Sequence, residues 1–307
     1  MLIRRLKPAL RWIILGGTLF FLAQAVKAHW REVAALRLDP SGWLFLGIAL
    51  GLTLLAHIWT GWVWGWILRA LAQPVGGSWS TLVYLKTNIA KYLPGNVWHF
   101  YGRIMAAKAA EIPVPVAVVS VVMEALLMAI AALVVALAGS HYGALQIAGL
   151  LVGLAAVHPR LLNPVLGQLA RSKGKSLKPM AAFEQGSDKA TLPITLDRYP
   201  LRPLLGELGF LLLRGAGFLV AVRALTPIGV SDVPQLLSGF SLAWMLGLVV
   251  PGAPGGIGVF EATALALLEP VLPAAVLLGA IALYRLVSTL AEAIGAVAAS
   301  LLLRKVV

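Results

Sequence analysis

Apolar residues fall in long runs along the chain, at 11–28, 41–68, 114–138, 142–157, 204–224 and 274–303. A helix needs roughly 20 apolar residues to cross the hydrocarbon of a bilayer, so the pattern predicts about six spanning helices. Two stretches between the runs, 78–108 and 232–270, break it. They are too polar, or too rich in glycine and proline, for simple spans, and not polar enough for ordinary loops.

Each irregular stretch contains a Pro-Gly break that interrupts a helix-compatible run. The first reads Lys91-Tyr92-Leu93-Pro94-Gly95-Asn96-Val97-Trp98-His99-Phe100-Tyr101-Gly102-Arg103, and the second Pro251-Gly252-Ala253-Pro254-Gly255-Gly256-Ile257-Gly258-Val259-Phe260-Glu261. Proline removes a backbone donor and glycine permits unusual dihedrals. At membrane depth such breaks survive only when buried in protein or lining a polar cavity. The pattern therefore predicts two opposed re-entrant helical hairpins, one entering from each side; the alternative is a pair of ordinary turns between short helices. Broken segments at matching positions of two halves also point to an inverted repeat around a central site. The helix that resumes after a break presents free N–H groups and the positive end of its dipole, which favour an anion. Gly252, Gly255, Gly256 and Gly258 would let a head group approach the backbone, and Asn96 and His99 follow the first break.

Composition reinforces the membrane reading. The hydrophobic fraction is 60% and the charged fraction 12%, and mean hydropathy is +0.90. Soluble domains carry about twice that share of charge, so lipid is the solvent for much of this surface. The net charge of +13 sits between the apolar runs, which fits an anionic membrane surface and not nucleic acid. Arg4, Arg5, Lys7 and Arg11 precede the first run, Arg69 ends the second, and Arg304 and Lys305 follow the last. The segment 158–203 carries Arg160, Arg171, Lys173, Lys175, Lys178, Lys189, Arg198 and Arg202 against Glu184, Asp188 and Asp197. The positive-inside rule then places both termini and this basic connector in the cytoplasm. Ser172-Lys173-Gly174-Lys175-Ser176 within it reads as solvated loop more readily than as a phosphate cradle. The start of the chain imitates a signal peptide, but the run lacks a small-residue cleavage site and reads as a retained span.

Charges inside the apolar runs are the chemical signal. Glu124, Arg214, Arg285 and Glu292 lie within spans, and intramembrane charges face the bundle interior or a cavity and are functional candidates by default. Arg103, Glu124, Glu261 and Arg285 are the candidates for holding a head group, the rival role being an internal ion pair such as Arg285 with Glu292 or Glu261. His57 reads as a hydrogen-bonded interior histidine more readily than as a proton relay. Trp59, Trp62 and Trp66 share one helix face, and Gly47 with Gly51 and Gly149 with Gly153 have the spacing of close helix contacts. There is no cysteine, no metal-ligand spacing, no nucleophile elbow and no dinucleotide fingerprint. We expect no cofactor, no metal and no enzymatic activity.

These residues resemble a family. Lys91 to Trp98 resembles the Lys-Tyr-Ile-Pro-Gly-Lys-Val-Trp element of the lysylphosphatidylglycerol synthase transmembrane-region family. Pro254 to Glu261 is similar to its Pro-Gly-Gly-Leu-Gly-Val-x-Glu element, and Tyr284-Arg285-Leu286 to its Tyr-Arg-Leu/Ile element. Asn96 stands where the family usually has lysine, and Ala125 follows Glu124 where it often has arginine. The resemblance implies one flippase-like transmembrane domain over 1–307, moving an anionic or zwitterionic phospholipid between leaflets of the cell membrane. With the chain ending just after the last run, a stand-alone member without the synthase is expected. Membrane lipids are the expected partners, with a homodimer or a lipid-modifying enzyme as further candidates. The rival readings are a secondary transporter of a small solute, a membrane enzyme acting on a lipid-linked sugar, and a non-catalytic partner of such an enzyme.

The topology can be checked directly, because the native chain has no cysteine. A cysteine introduced at Ser187 should be labelled only after the membrane is opened; labelling by an impermeant maleimide in intact cells would overturn the assignment.

Overall fold

A computed structural model describes residues 37–93, 96–137, 143–171, 195–250 and 253–303, together with Gln24, Lys27, 30–35 and Gly139. Apart from Gln24 and Lys27, the predicted span at 11–28 lies outside the described residues, as does most of the basic connector, 172–194. All regular structure among the described residues is helical. After the short α1 (Trp30–Ala35) come α2 (Pro40–Ala70), α3 (Gly77–Asn88), a 3₁₀ turn (Ile89–Tyr92), α4 (Trp98–Ala109) and α5 (Val114–Ala136). Then follow α6 (Gly143–Ala156), α7 (Pro159–Arg171), α8 (Leu201–Arg223), α9 (Val233–Val249), a 3₁₀ turn (Pro254–Gly256), α10 (Val259–Leu268) and α11 (Ala274–Leu303).

Five helical segments are long and apolar enough to cross a membrane: Pro40–Ala70, Val114–Ala136, Leu201–Arg223, Val230–Val249 and Ala274–Leu303. A sixth forms if α6 and Pro159–Leu166, bent by 58° at the break between them, count as one span. This is a multi-pass membrane protein. Its exterior matches that solvent, since Trp43, Leu44, Leu145, Leu151, Val152 and Val297 are all exposed. Where α2 begins, Asp39 caps the helix by accepting from the Gly42 amide at 2.6 Å. That hydrogen bond, followed by one from Ser41, holds the Asp39 carboxyl below its ordinary pKa.

Three sequence expectations change. The run at 142–157 does not stand as a simple span, because α6 has 14 residues. At 1.5 Å per residue that is about 21 Å, short of the roughly 30 Å of hydrocarbon. The connector 158–203 is not loop throughout. Its first part is α7, and Asn163 clasps Leu196 on its far side, accepting from the amide at 2.9 Å and donating to the carbonyl at 3.1 Å. The stretch 232–270 is not irregular throughout either. Its first part is long and apolar enough to cross, and the irregularity is confined to the break before α10.

The order long helix, broken hairpin, long helix occurs twice: α2, α3–α4, α5, and then α8, α9–α10, α11. The hairpin arms fold back on themselves. Arg103 of α4 lies over the Tyr84 ring of α3 at 4.2 Å, and added carbons on Gly247 and Gly239 of α9 would meet Phe260 and Leu268 of α10. The corresponding long helices α2 and α8 run antiparallel. Gly42 sits against Ala224, Thr53 against Gly217, and Trp59 donates to the Gly206 carbonyl at 2.8 Å. Antiparallel equivalents fit an inverted repeat. In the second half, Phe218, Phe240, Phe260 and Tyr284 join α8 to α11 with ring centroids 5.2–5.8 Å apart.

The glycines separate two packing cases. A carbon added to Gly61 would lie 2.9 Å from the Thr81 Cα on α3, and one on Gly153 would lie 2.8 Å from Ile130 on α5. Gly47 and Gly51 have nothing within 4 Å, so their spacing makes no contact among the described residues. Gly61→Leu should therefore lower the detergent melting midpoint sharply, by the equivalent of about 1–3 kcal/mol or more for overpacking. Gly47→Ala and Gly51→Ala should stay within about 0.5 kcal/mol. A Gly61→Leu protein that melts like the parent would disprove the close α2–α3 approach.

Candidate functional site

A broken helix must find partners for the backbone groups the break releases. Around the second break that need fixes a local architecture. Gly255, Gly256 and Gly258 all have positive φ (57°, 73° and 86°). A side chain on Gly255 would also strike the Tyr92 ring at 2.7 Å, so the tips of the two hairpins meet there. Glu261, in the first turn of α10, accepts from the Gly258 amide at 2.6 Å. Arg285 on α11 completes the clasp. Its Nε donates to the other Glu261 oxygen, Nη1 to the Gly255 carbonyl at 2.9 Å and Nη2 to the Gly256 carbonyl at 3.0 Å. The planar guanidinium suits this because its donors project in fixed directions. Three of its N–H donors are used so, and two remain of the five a guanidinium carries.

The first half carries a matching link with the signs exchanged. Arg103 on the returning arm α4 pairs with Glu124 on the following long helix α5, both deeply buried. The Arg103 guanidinium lies over the Tyr84 ring, with Phe100 at 5.5 Å on another side. A third pair joins the first break to the last helix: Lys91 Nζ donates to Glu292 Oε1 at 2.6 Å. The sequence offered Glu292 or Glu261 as a partner for Arg285; the structure pairs Arg285 with Glu261 and gives Glu292 to Lys91. Residues seven apart on a helix are about 10.5 Å apart along its axis, beyond ion-pair reach.

Between the hairpin tips and the long helices lies a polar-lined cavity that is partly open to its surroundings. Seven of the sequence-derived candidates line it: Asn96, His99, Arg103, Glu124, Gly255, Gly256 and Arg285. Glu261 and Gly258 stand behind its wall and act through Arg285 and the turn, while Gly252 lies outside the described residues. Lys91, Arg214, His57 and Ser288 also line it, and of these the sequence reading had weighed only Arg214 and His57.

Arg214 differs from the other cations. Lys91, Arg103 and Arg285 each face a carboxylate. Arg214 is buried and donates to Ser288 Oγ at 2.7 Å, with its Nη1 also 3.2 Å from His57 Nε2. Among the described residues no carboxylate lies within ion-pair distance of it. Glu207, also on α8, is the converse: a fully buried carboxylate whose hydrogen bonds come from Thr60, at 3.1 and 3.3 Å. Sequence reading passed over Glu207, although it is the one acid in the 204–224 run. Among the described residues no three His, Asp or Glu side chains converge as a metal site would require.

The three sequence elements that carried the resemblance all reach this cavity, through Lys91 and Asn96, through Gly255 and Gly256, and through Tyr284 and Arg285. Residues 9–295 match the family model described as the lysylphosphatidylglycerol synthase TM region. No curated protein matches the chain.

The clasp can be told apart from a plain ion pair. Arg285→Ala should destabilise the folded protein by about 3–5 kcal/mol, the usual result of stripping one member from a buried pair. Adding Glu261→Gln should not restore it, because the Gly255 and Gly256 carbonyls still lack donors. Arg285→Lys should rescue only in part, since one ammonium cannot reach a carboxylate and two carbonyls in fork geometry. Full recovery of the melting midpoint in the double variant would reduce Arg285 to an ion-pair partner.

Proposed function

The chain belongs to the lysylphosphatidylglycerol synthase TM-region family, and we propose that it moves an anionic or zwitterionic phospholipid between the leaflets of the cell membrane. One observation carries this reading: Arg214 faces the central cavity with no carboxylate in ion-pair contact among the described residues, and the cluster it forms with Lys91 and Glu292 keeps one net positive charge. A buried cation in an apolar bundle is costly unless something of opposite charge answers it, and a lipid phosphate is that answer. The remaining guanidinium donors of Arg285 and the amide of Asn96 line the same cavity. Acyl chains would stay against the apolar exterior while the head group passes between the hairpin tips. In this reading the hairpins enter from opposite faces, both termini lie in the cytoplasm, and no covalent bond is made or broken.

Proteoliposomes carrying labelled phosphatidylglycerol, phosphatidylethanolamine or phosphatidylcholine test it, with leaflet exchange read by dithionite quenching. The folded parent should accelerate exchange of at least one of the three. Arg214→Gln should slow that exchange by at least about tenfold, as expected for losing a charge-assisted hydrogen bond worth about 1.5–3 kcal/mol. Parent-like exchange by a well-folded Arg214→Gln protein would remove the phosphate seat. Uptake of a small anion without lipid movement would favour the solute-carrier reading instead.

A further inference from the structure

His57 occupies a position that its chemistry cannot satisfy in one protonation state. A single ring atom, Nε2, lies 3.2 Å from Arg214 Nη1, which can only donate, and 3.1 Å from Glu292 Oε1. A neutral ring with a bare Nε2 accepts from Arg214 and turns a lone pair toward the carboxylate. A protonated Nε2 donates to Glu292 and turns an N–H toward the arginine. One atom cannot do both. The other ring nitrogen, Nδ1, is buried and has no hydrogen-bond partner, so it does not settle the choice.

The neighbours decide which state suits which condition. On α2 itself the nearest polar groups are Thr53 and Thr60, the latter holding Glu207 of α8. From α8 come Arg214 and the Phe210 ring at 6.2 Å. From α11 come Glu292, Ser288 and Tyr284, and from the 3₁₀ turn after α3 comes Lys91. Across the cavity on α5, Glu124 is already paired with Arg103. With His57 neutral, the cluster of Lys91, Arg214 and Glu292 carries one net positive charge. Protonating His57 would raise it to two in a buried site, which is unfavourable. An anion seated on Arg214 changes both terms: it withdraws the N–H that held the Nε2 lone pair, and it cancels one charge. Protonation of Nε2, with donation to Glu292, then restores the original net charge.

We propose that His57 is a proton-binding site whose occupancy is coupled to an anionic head group on Arg214, so that lipid and proton are taken up together. This rests on the head-group reading above. The proton comes from water and adds to the Nε2 lone pair, with no other bond made or broken. Because binding linkage is reciprocal, anion affinity must rise as the proton concentration rises.

The test is calorimetric titration of the detergent-solubilised full chain with dihexanoyl phosphatidylglycerol, between pH 5.5 and 8, in paired buffers of different ionisation heat. The parent should take up about one proton per bound lipid near the ordinary imidazole range. Its affinity should increase by up to about tenfold per unit fall in pH. His57→Gln, whose amide can accept from Arg214 and donate to Glu292 at once, should show no uptake per bound lipid and a flat affinity profile. Binding by the parent without proton uptake would overturn the coupling and leave the head-group reading standing. Uptake that persists in His57→Gln and vanishes in Glu207→Gln would move the proton to Glu207 and overturn the assignment. Failure of the parent to bind the probe would remove the head-group reading, and this inference with it.

Discussion

A helix broken inside an apolar bundle releases backbone carbonyls and amides that lipid cannot satisfy. Here one side chain from a distant helix satisfies them. Arg285 holds the Gly255 and Gly256 carbonyls and the Glu261 carboxylate together, while Glu261 holds the Gly258 amide. Remove that clasp and the turn has no reason to keep its positive dihedrals, Gly255 none to stay under Tyr92, and the two hairpin tips none to meet. The cavity wall between them would go too. The site is thus a by-product of how the break is satisfied.

Charge follows the same logic. In a medium of low dielectric constant each ion must find an opposite or be neutralised. Among the described residues three pairs do so, two between successive helices and one across 201 residues, and each joins a hairpin to a long helix. What remains, among the described residues of the bundle interior, is a cation at Arg214 with no carboxylate in ion-pair contact and, on the same helix, an acid at Glu207 with no cation in contact. Seven residues apart on one helix, they lie about 10.5 Å from each other along its axis. Holding them apart, one on the cavity wall and one against Thr60, is the arrangement that leaves room for a ligand charge.

Much of this was legible in the sequence because rare events in an apolar background are conspicuous. The chain does break beside both Pro-Gly motifs, where Tyr92 and Gly255 meet, and Arg103, Glu124 and Arg285 stood out as charges that had to point inward. Partner identity was legible in part: Glu261 was one of the two partners offered for Arg285, and it is the one found. Glu292 looked like a match for Arg285 because the two share a helix, whereas Lys91 reaches it from 201 residues away. Lys91 sits in a stretch polar enough to hide it, and Glu207 near the end of a run where charge is less costly. The Gly47–Gly51 spacing promised a contact and Gly149–Gly153 looked no stronger, yet among the described residues only the second has a helix against it. Small residues at that spacing permit approach without specifying what approaches. The short α6 escaped notice because hydropathy reports composition and not the direction of a helix axis.

The two hairpin-to-helix links have an electrical consequence. In the first half the returning arm carries the cation and the long helix the anion; in the second the roles are exchanged. For halves related by a twofold axis in the membrane plane, identical pairs would have opposed dipole components along the membrane normal, and these would cancel. Exchanging the signs makes those components add. A frame so related would be symmetric in shape and yet polar across the membrane, and a transmembrane voltage would act on it with a definite sense. The field does work on the order of 2.3 kcal/mol for each elementary charge moved through 100 mV, and that figure sets the scale of its action on two such links.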